Sequence, residues 1–330
     1  METMKAARAV RQNYDDPLSC LDIVQVPVPE PKMGWVRVKV KAASLNQHDV
    51  WTLRGVGHDP KNIPITLGCD VAGVTDDGRE VIGHPIIANP DAGAGDETLD
   101  PARRLFSESH DGGFAEYMVM PERSLIDKPK HLSFAQAACL PVAWGTAFRM
   151  LFGRGQLKAG DRILVQGAGG GVASALIALA AAAGLRVYAT TRFGSADAEQ
   201  KIAYAKELGA HEVLDSGARL PERVDAVLET VGSATWAHSL RCLRPGGAVI
   251  IAGATTGGDV SAELHRIFYQ QLQVIGSTGS TLAESQAMAR FVEDNKLVPR
   301  VDREIPLEKI HEGFEAMITG DLMGKIVVTF

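Results

Sequence analysis

Between Ile163 and Ala173 the chain reads Ile-Leu-Val-Gln-Gly-Ala-Gly-Gly-Gly-Val-Ala. Gly167, Gly169, Gly170 and Gly171 form a turn that side chains would obstruct, set between an apolar run and an Ala- and Leu-rich stretch that starts at Val172. A glycine turn entering a helix offers bare backbone N–H groups and the positive end of the helix dipole, which together hold a phosphate. The spacing Gly167-x-Gly169-x-x-Ala173 fits the dinucleotide fingerprint, with Ala as the accepted variant of its third glycine. The next strand ends Val187-Tyr-Ala-Thr-Thr-Arg-Phe193, and the first acid after it is Asp197. A ribose-binding acid is expected about 20 residues beyond the first glycine when NAD is bound. Thr190, Thr191 and Arg192 stand there instead and suit a 2′-phosphate. Lys201 and Tyr204, three apart on the following helix, reach the same pocket in this reading. The residues therefore favour NADPH over NADH.

The elements that must position this turn follow from pattern. Ile163–Val165 reads as a buried strand, and Val172–Ala183 as a helix free of Gly and Pro. Further alternations predict strands near 186–191, 212–214, 226–229, 248–252 and 273–276, with helices near 198–208 and 236–243. That is an α/β, doubly wound parallel sheet. Ligands of such sheets bind at the carboxyl ends of the strands, which brings Val231, Gly253, Ala254, Thr255 and Ser277 to the cofactor. Before 129 the texture differs. Trp35–Lys41 alternates with period two, and short strands punctuated by Gly and Pro predict a small β-barrel. A single strand is expected over Ile65–Val74, a surface lobe over 87–111, and a helix capped by Ser133 and running through Leu140. Another helix is expected over Trp144–Phe152. The chain returns to the first domain at its end, giving domains of 1–128 with 280–330, and 129–279.

With 34 Lys and Arg against 40 Asp and Glu, the net charge of -6 argues against a nucleic-acid or anionic-membrane partner. No stretch has the length of a membrane span or the apolar core of a signal peptide, so the expected location is cytoplasmic. Cys20, Cys69, Cys139 and Cys242 are scattered without a C-x-x-C pair, which speaks against a disulfide framework and a four-thiolate zinc site.

The order of these elements resembles the medium-chain dehydrogenase/reductase superfamily. The resemblance runs along the whole chain through Ser44-Leu-Asn-Gln-His-Asp49, Leu67-Gly-Cys-Asp-Val-Ala-Gly73, Gly112-Gly-Phe-Ala-Glu-Tyr117, Val165–Gly171, Leu243-Arg-Pro-Gly-Gly247 and Gly324-Lys-Ile-Val327. Within the superfamily the chain looks most like quinone oxidoreductases and zinc-independent enoyl reductases. The resemblance implies a GroES-like catalytic domain, a Rossmann domain and a homodimer paired through the strand at 273–276. It also exposes a departure. The zinc ligands of the related alcohol dehydrogenases match Asn46, Gly68-Cys69-Asp70 and a position near Val142, and Asn and Val are not adequate zinc ligands.

Without a Lewis acid an isolated ketone is hard to reduce, whereas an activated double bond needs only hydrogen-bond donors for its enolate oxygen. The expected function is thus a zinc-independent, NADPH-dependent reductase of a small conjugated carbonyl, either a quinone or a 2-enoyl compound. The expected catalytic residues are Asn46 as hydrogen-bond donor, His48 as acid and Asp49 as a positioning group. Trp51, Cys69, Trp144 and Tyr269 are expected to line the substrate cleft, and no metal is expected. The rivals are a zinc-type alcohol dehydrogenase and a non-catalytic NADPH-binding protein.

Overall fold

The computed structural model describes residues 2–330 and divides the chain into two compact units, one ending at Val142 and resuming at Ser280–Phe330, the other Ala143–Gly279. The first unit thus extends past the expected boundary at 128. The reason is the helix Phe134–Ala138, which packs on the strands Trp35–Ser44 and Asp70–Thr75. Its start is fixed by Ser133, whose Oγ accepts from Gln136 N at 3.2 Å while Gln136 Oε1 accepts from Ser133 N at 3.0 Å.

The first unit is built around Trp35–Ser44. One edge of this strand pairs antiparallel with Asp70–Thr75; the other pairs first with Tyr117–Pro121 and then with Lys325–Thr329. The C-terminal strand in turn pairs parallel with Val301–Pro306. The single strand expected over Ile65–Val74 is two, Ile65–Thr66 and Asp70–Thr75. The break is at Gly68, whose φ of +95° brings its backbone so close to Phe114 that a Cβ would sit 2.9 Å from the Phe114 amide nitrogen. Phe114 meets Phe314 edge to face, centroids 6.1 Å apart, in the middle of this core. Each such buried ring contributes roughly 1.5–3 kcal/mol of transfer free energy. The lobe over 87–111 consists of short helical turns and a two-stranded ladder, Ile86–Ile87 with Arg104–Leu105. The helix Gln47–Arg54, not foreseen, follows the central strand directly.

The second unit is a six-stranded, all-parallel sheet. Its strands lie in the order Glu212–Asp215, Arg186–Thr191, Arg162–Val165, Val224–Glu229, Leu243–Ile251, Gln273–Gly276. This is the doubly wound order, and the direction of winding reverses beside Arg162–Val165. Gly171–Ala182 is the helix that follows that strand, buried along most of its length as its Ala and Leu content requires. The region Leu140–Arg154 is one continuous helical stretch with wider π-type turns at both ends. A second unforeseen helix, Leu264–Gln270, buries none of its residues; its apolar Leu264, Ile267 and Phe268 are helically spaced, but seven residues are too short a window for periodicity to separate helix from strand.

Candidate active site

In the first unit the sheet register assembles a buried polar cluster. Ser44 lies opposite Asp70, and the pairing of Val327 with Ser44 carries Lys325 to the level of Asn46. Asp70 Oδ2 accepts from Ser44 Oγ at 2.7 Å and Asn46 Nδ2 at 2.8 Å, and lies 3.3 Å from Lys325 Nζ. Asp70 Oδ1 accepts from Val142 N at 2.7 Å. The Lys325 ammonium also donates to Leu45 O at 2.6 Å and Asn46 Oδ1 at 2.5 Å. Two hydrogen bonds and one ion pair thus hold the ammonium, and a buried lysine is tolerable only when so paired.

This arrangement corrects the expectation for Asn46. Its amide is 6% exposed and both its ends are engaged inside the cluster, so it holds Lys325 and Asp70 rather than offering a hydrogen bond to a ligand. Asp49 is fully buried, with one oxygen accepting from Asn46 N and the other from Gly68 N, each at 2.9 Å. Burial raises its pKa above the usual carboxylate value despite these bonds. It anchors the start of Gln47–Arg54 and the Gly68 turn, and is a positioning group.

The same geometry tests the residues against a zinc ion. Cys69 is buried, and burial, reinforced by Asp49 and Asp70, pushes its thiol well above its ordinary pKa. Asp70 is saturated, Val142 contributes only a backbone N–H, and the Lys325 ammonium already supplies a cation. The donor set does not fit zinc.

His48 is the expected catalytic residue whose side chain stays partly exposed, although its Nε2 is buried. Its side chain is 26% exposed, and Nε2 lies 3.7 Å from Glu108 Oε1 without a hydrogen bond. Glu108 is a residue that sequence reasoning missed, because it arrives from the lobe, 60 positions along the chain. Lys325 was missed too, although it stands inside the Gly324–Val327 motif. Trp51 is half-buried beneath the Arg54 guanidinium at 5.3 Å and remains a lining candidate in this unit. Cys69 contacts the polar cluster, with Asn46 Nδ2 3.7 Å from its sulfur, and so is part of the packing.

In the second unit, Gly167 adopts φ +80° and Gly170 precedes a helix that no side chain caps. The N–H groups of the first helical turn are thus left for an anion. Lys201 lies over the turn: a Cβ on Gly169 would come within 2.6 Å of Lys201 Cε. Its ammonium pairs with Asp197. Arg192 is exposed at the end of its strand, and Thr191 is buried beside it. Thr190 is not available to a phosphate, because its hydroxyl donates to Gln166 Oε1 at 2.7 Å. Tyr204 is 5% exposed and belongs to the packed face of its helix rather than to an open pocket. Val231, Gly253, Ala254 and Thr255 lie beyond the carboxyl ends of their strands. Ser277 does also, and its buried Oγ has no partner among the described residues, the kind of orphan that a bound ligand satisfies. These features fit a dinucleotide. One lining expectation fails, because Trp144 is core; Tyr269 is 78% exposed and lines a surface cavity with Leu264 and Phe268.

Two family descriptions match the chain, "Alcohol dehydrogenase GroES-like domain" over residues 32–130 and "Zinc-binding dehydrogenase" over 171–294. A zinc-type alcohol dehydrogenase-like protein of Schizosaccharomyces pombe is 31% identical, covering 90% of this chain and 83% of that protein. The chain belongs to the medium-chain dehydrogenase/reductase superfamily. The human quinone oxidoreductase is 29% identical, covering 92% of this chain and 91% of the relative. The crystal structure of an NAD-dependent alcohol dehydrogenase superposes with a TM-score of 0.91 at 33% identity, covering 99% of this chain and 100% of the other. This medium-chain member is an oxidoreductase with a GroES-like domain and a Rossmann domain. Among its described residues no helix is long and apolar enough to cross a membrane.

Proposed function

We propose that this medium-chain reductase transfers hydride from NADPH to the β-carbon of a conjugated carbonyl, a quinone or a 2-enoyl compound, without zinc. The observation that carries the reading is the Lys325–Asp70–Asn46 cluster, which fills the positions of the zinc ligands with a closed set of hydrogen bonds. Lacking a Lewis acid, the protein is suited to substrates whose electrons move into an existing carbonyl, where one hydrogen-bond donor suffices. His48 is that donor: its ring supplies the hydrogen bond and then the proton to the enolate oxygen, with the Glu108 carboxylate 3.7 Å from Nε2.

The dinucleotide supplies the hydride when bound. The glycine turn and the uncapped helix Gly171–Ala182 hold its pyrophosphate, and Ser277 Oγ gains a partner. Arg192, Thr191 and Lys201 receive the 2′-phosphate, which competes with Asp197 for Lys201 and thereby distinguishes NADPH from NADH. The test is NADPH oxidation with quinones, 2-enals, enones and simple ketones, with and without chelator, alongside metal analysis of the protein. Turnover of conjugated acceptors that chelator leaves untouched supports the reading. Activity confined to simple ketones and abolished by chelator means a zinc alcohol dehydrogenase, and tight NADPH binding with no turnover means a non-catalytic protein.

The same reading includes a homodimer in the cytoplasm. Gln273–Gly276 is an edge strand with Val274 exposed, beside the exposed Leu264, Phe268 and Tyr269, a surface that a second copy would cover by extending the sheet. Four unpaired, buried cysteines suit a reducing compartment. Light scattering that gives the monomer mass at micromolar concentration would remove the dimer from this proposal.

A further inference from the structure

Glu229 is a fully buried carboxylate that the proposed chemistry does not use. The parallel register explains its neighbours. Val165 pairs with Ala189 on one side and Leu228 on the other, so the next residues, Thr190, Gln166 and Glu229, stand side by side on three adjacent strands. From them a continuous chain of hydrogen bonds can be followed. Gly167 N donates to Thr190 Oγ1 at 3.2 Å, and Thr190 Oγ1 donates to Gln166 Oε1 at 2.7 Å. Gln166 Nε2 donates to Ser239 Oγ at 3.0 Å, and Ser239 Oγ donates to Glu229 Oε2 at 2.6 Å. The other carboxylate oxygen accepts from Val231 N at 2.8 Å and Gly232 N at 3.2 Å, and Thr235 Oγ1 donates to the carboxylate as well.

The direction of this chain is fixed. His238 Nε2 lies 2.8 Å from Ala218 O and carries hydrogen there; in the neutral ring Nδ1 then accepts the second Gln166 amide hydrogen at 2.9 Å. With that tautomer the Gln166 amide has one orientation, each hydroxyl gives its one proton away, and an acceptor such as the carboxylate ends the sequence. Both ends terminate on backbone N–H groups of cofactor-facing loops: Gly167 in the glycine turn, Val231 and Gly232 beyond the next strand. Val231 O also accepts from Thr256 N at 2.8 Å, which ties in the loop after Leu243–Ile251. Apolar side chains could fill this space without a desolvation cost. What the polar chain adds is a set position for three loops before any ligand arrives.

We propose that Gln166 and Glu229 are positioning residues that preset the dinucleotide-binding edge through this buried chain. The inference rests on the nicotinamide reading above. Preset loops lower the ordering cost of binding, and the affected contacts are those common to NADPH and NADH. The test is titration of the full-length protein with each dinucleotide, followed by fluorescence, together with steady-state kinetics. T190V and Q166L should each raise both dissociation constants about tenfold, the scale of one buried hydrogen bond. The double variant should be no worse than either single one, since both cut the same chain. T190S should match the wild type, and KM for NADPH should rise with kcat unchanged. R192A, by contrast, should weaken NADPH alone.

Unchanged affinities, additive losses or losses confined to NADPH would overturn the proposal. Hydrogen exchange on the wild-type protein gives an answer that needs no variant: the amides of Gly167, Val231 and Gly232 should be protected without cofactor, and rapid exchange there refutes the preset edge. Wild-type protein that binds neither dinucleotide instead removes the nicotinamide reading, and this inference with it.

Discussion

Replacing Lys325 by methionine removes one partner of a buried ion pair and leaves the Asp70 carboxylate, 0% exposed, with only the neutral donors Ser44, Asn46 and Val142 and no cation. The expected cost is about 3–5 kcal/mol, because the uncompensated charge, not the lost attraction, dominates. Urea unfolding reads it directly, and added zinc should restore neither stability nor activity. His48→Gln removes the proton donor but keeps the ring's approximate volume. Its kcat should fall by about 10²–10⁴ with the dissociation constant for NADPH unchanged, as stopped-flow and binding titration would show. A loss smaller than threefold would return His48 to a packing role. At this scale the residues were partly legible. Asn46 and Asp70 could be singled out from a motif, but their use could not. Asn46 changes from ligand donor to internal strut because Lys325, 279 positions away, occupies its carbonyl.

At the scale of elements, the junction of the strand Glu80–Gly83 with the helix Leu282–Asp294 carries a pH dependence. His84 Nδ1 lies 3.0 Å from Ser285 Oγ, Ser285 meets Ser280 Oγ at 2.8 Å, and His84 Nε2 has no hydrogen-bond partner and stands 4.0 Å from Glu97. Burial, with a smaller contribution from the Arg123 charge, lowers the His84 pKa from 6.5 to about 3. The unfolded chain therefore binds a proton that the folded one refuses, and this stability is complete above pH 6.5 and lost as the pH falls from 6.5 toward 3. The slope from this group alone approaches about 1.4 kcal/mol per pH unit. His84→Gln should flatten the acid limb of a stability-versus-pH curve; an unchanged slope would show that other groups set it. Elements with strong signals, such as Gly171–Ala182 and its strand, follow from pattern. Gln47–Arg54 and Leu264–Gln270 do not, since each spans only about two turns, too few for a periodic signal.

At the scale of the whole molecule, a ligand that binds only the folded protein raises its stability by mass action. NADPH at 100 times its dissociation constant should add about 2.7 kcal/mol, visible as an upward shift in Tm, with NADH at the same concentration adding less if Arg192 and Lys201 read the 2′-phosphate. Equal shifts would remove the preference for NADPH. By itself, the sequence determined what local pattern can carry: the glycine turn and its helix, the parallel sheet beyond it, and the β-rich first domain. Those features depend on residues near one another along the chain, where periodicity and backbone sterics act directly. Only the tertiary structure decided which groups are free to act. Strand register brought Lys325 to Asn46, set Gln166 between Thr190 and Glu229, and the lobe delivered Glu108 to His48. A hydrogen bond inside the protein uses up a donor whatever the local sequence, and its partner can lie hundreds of residues away.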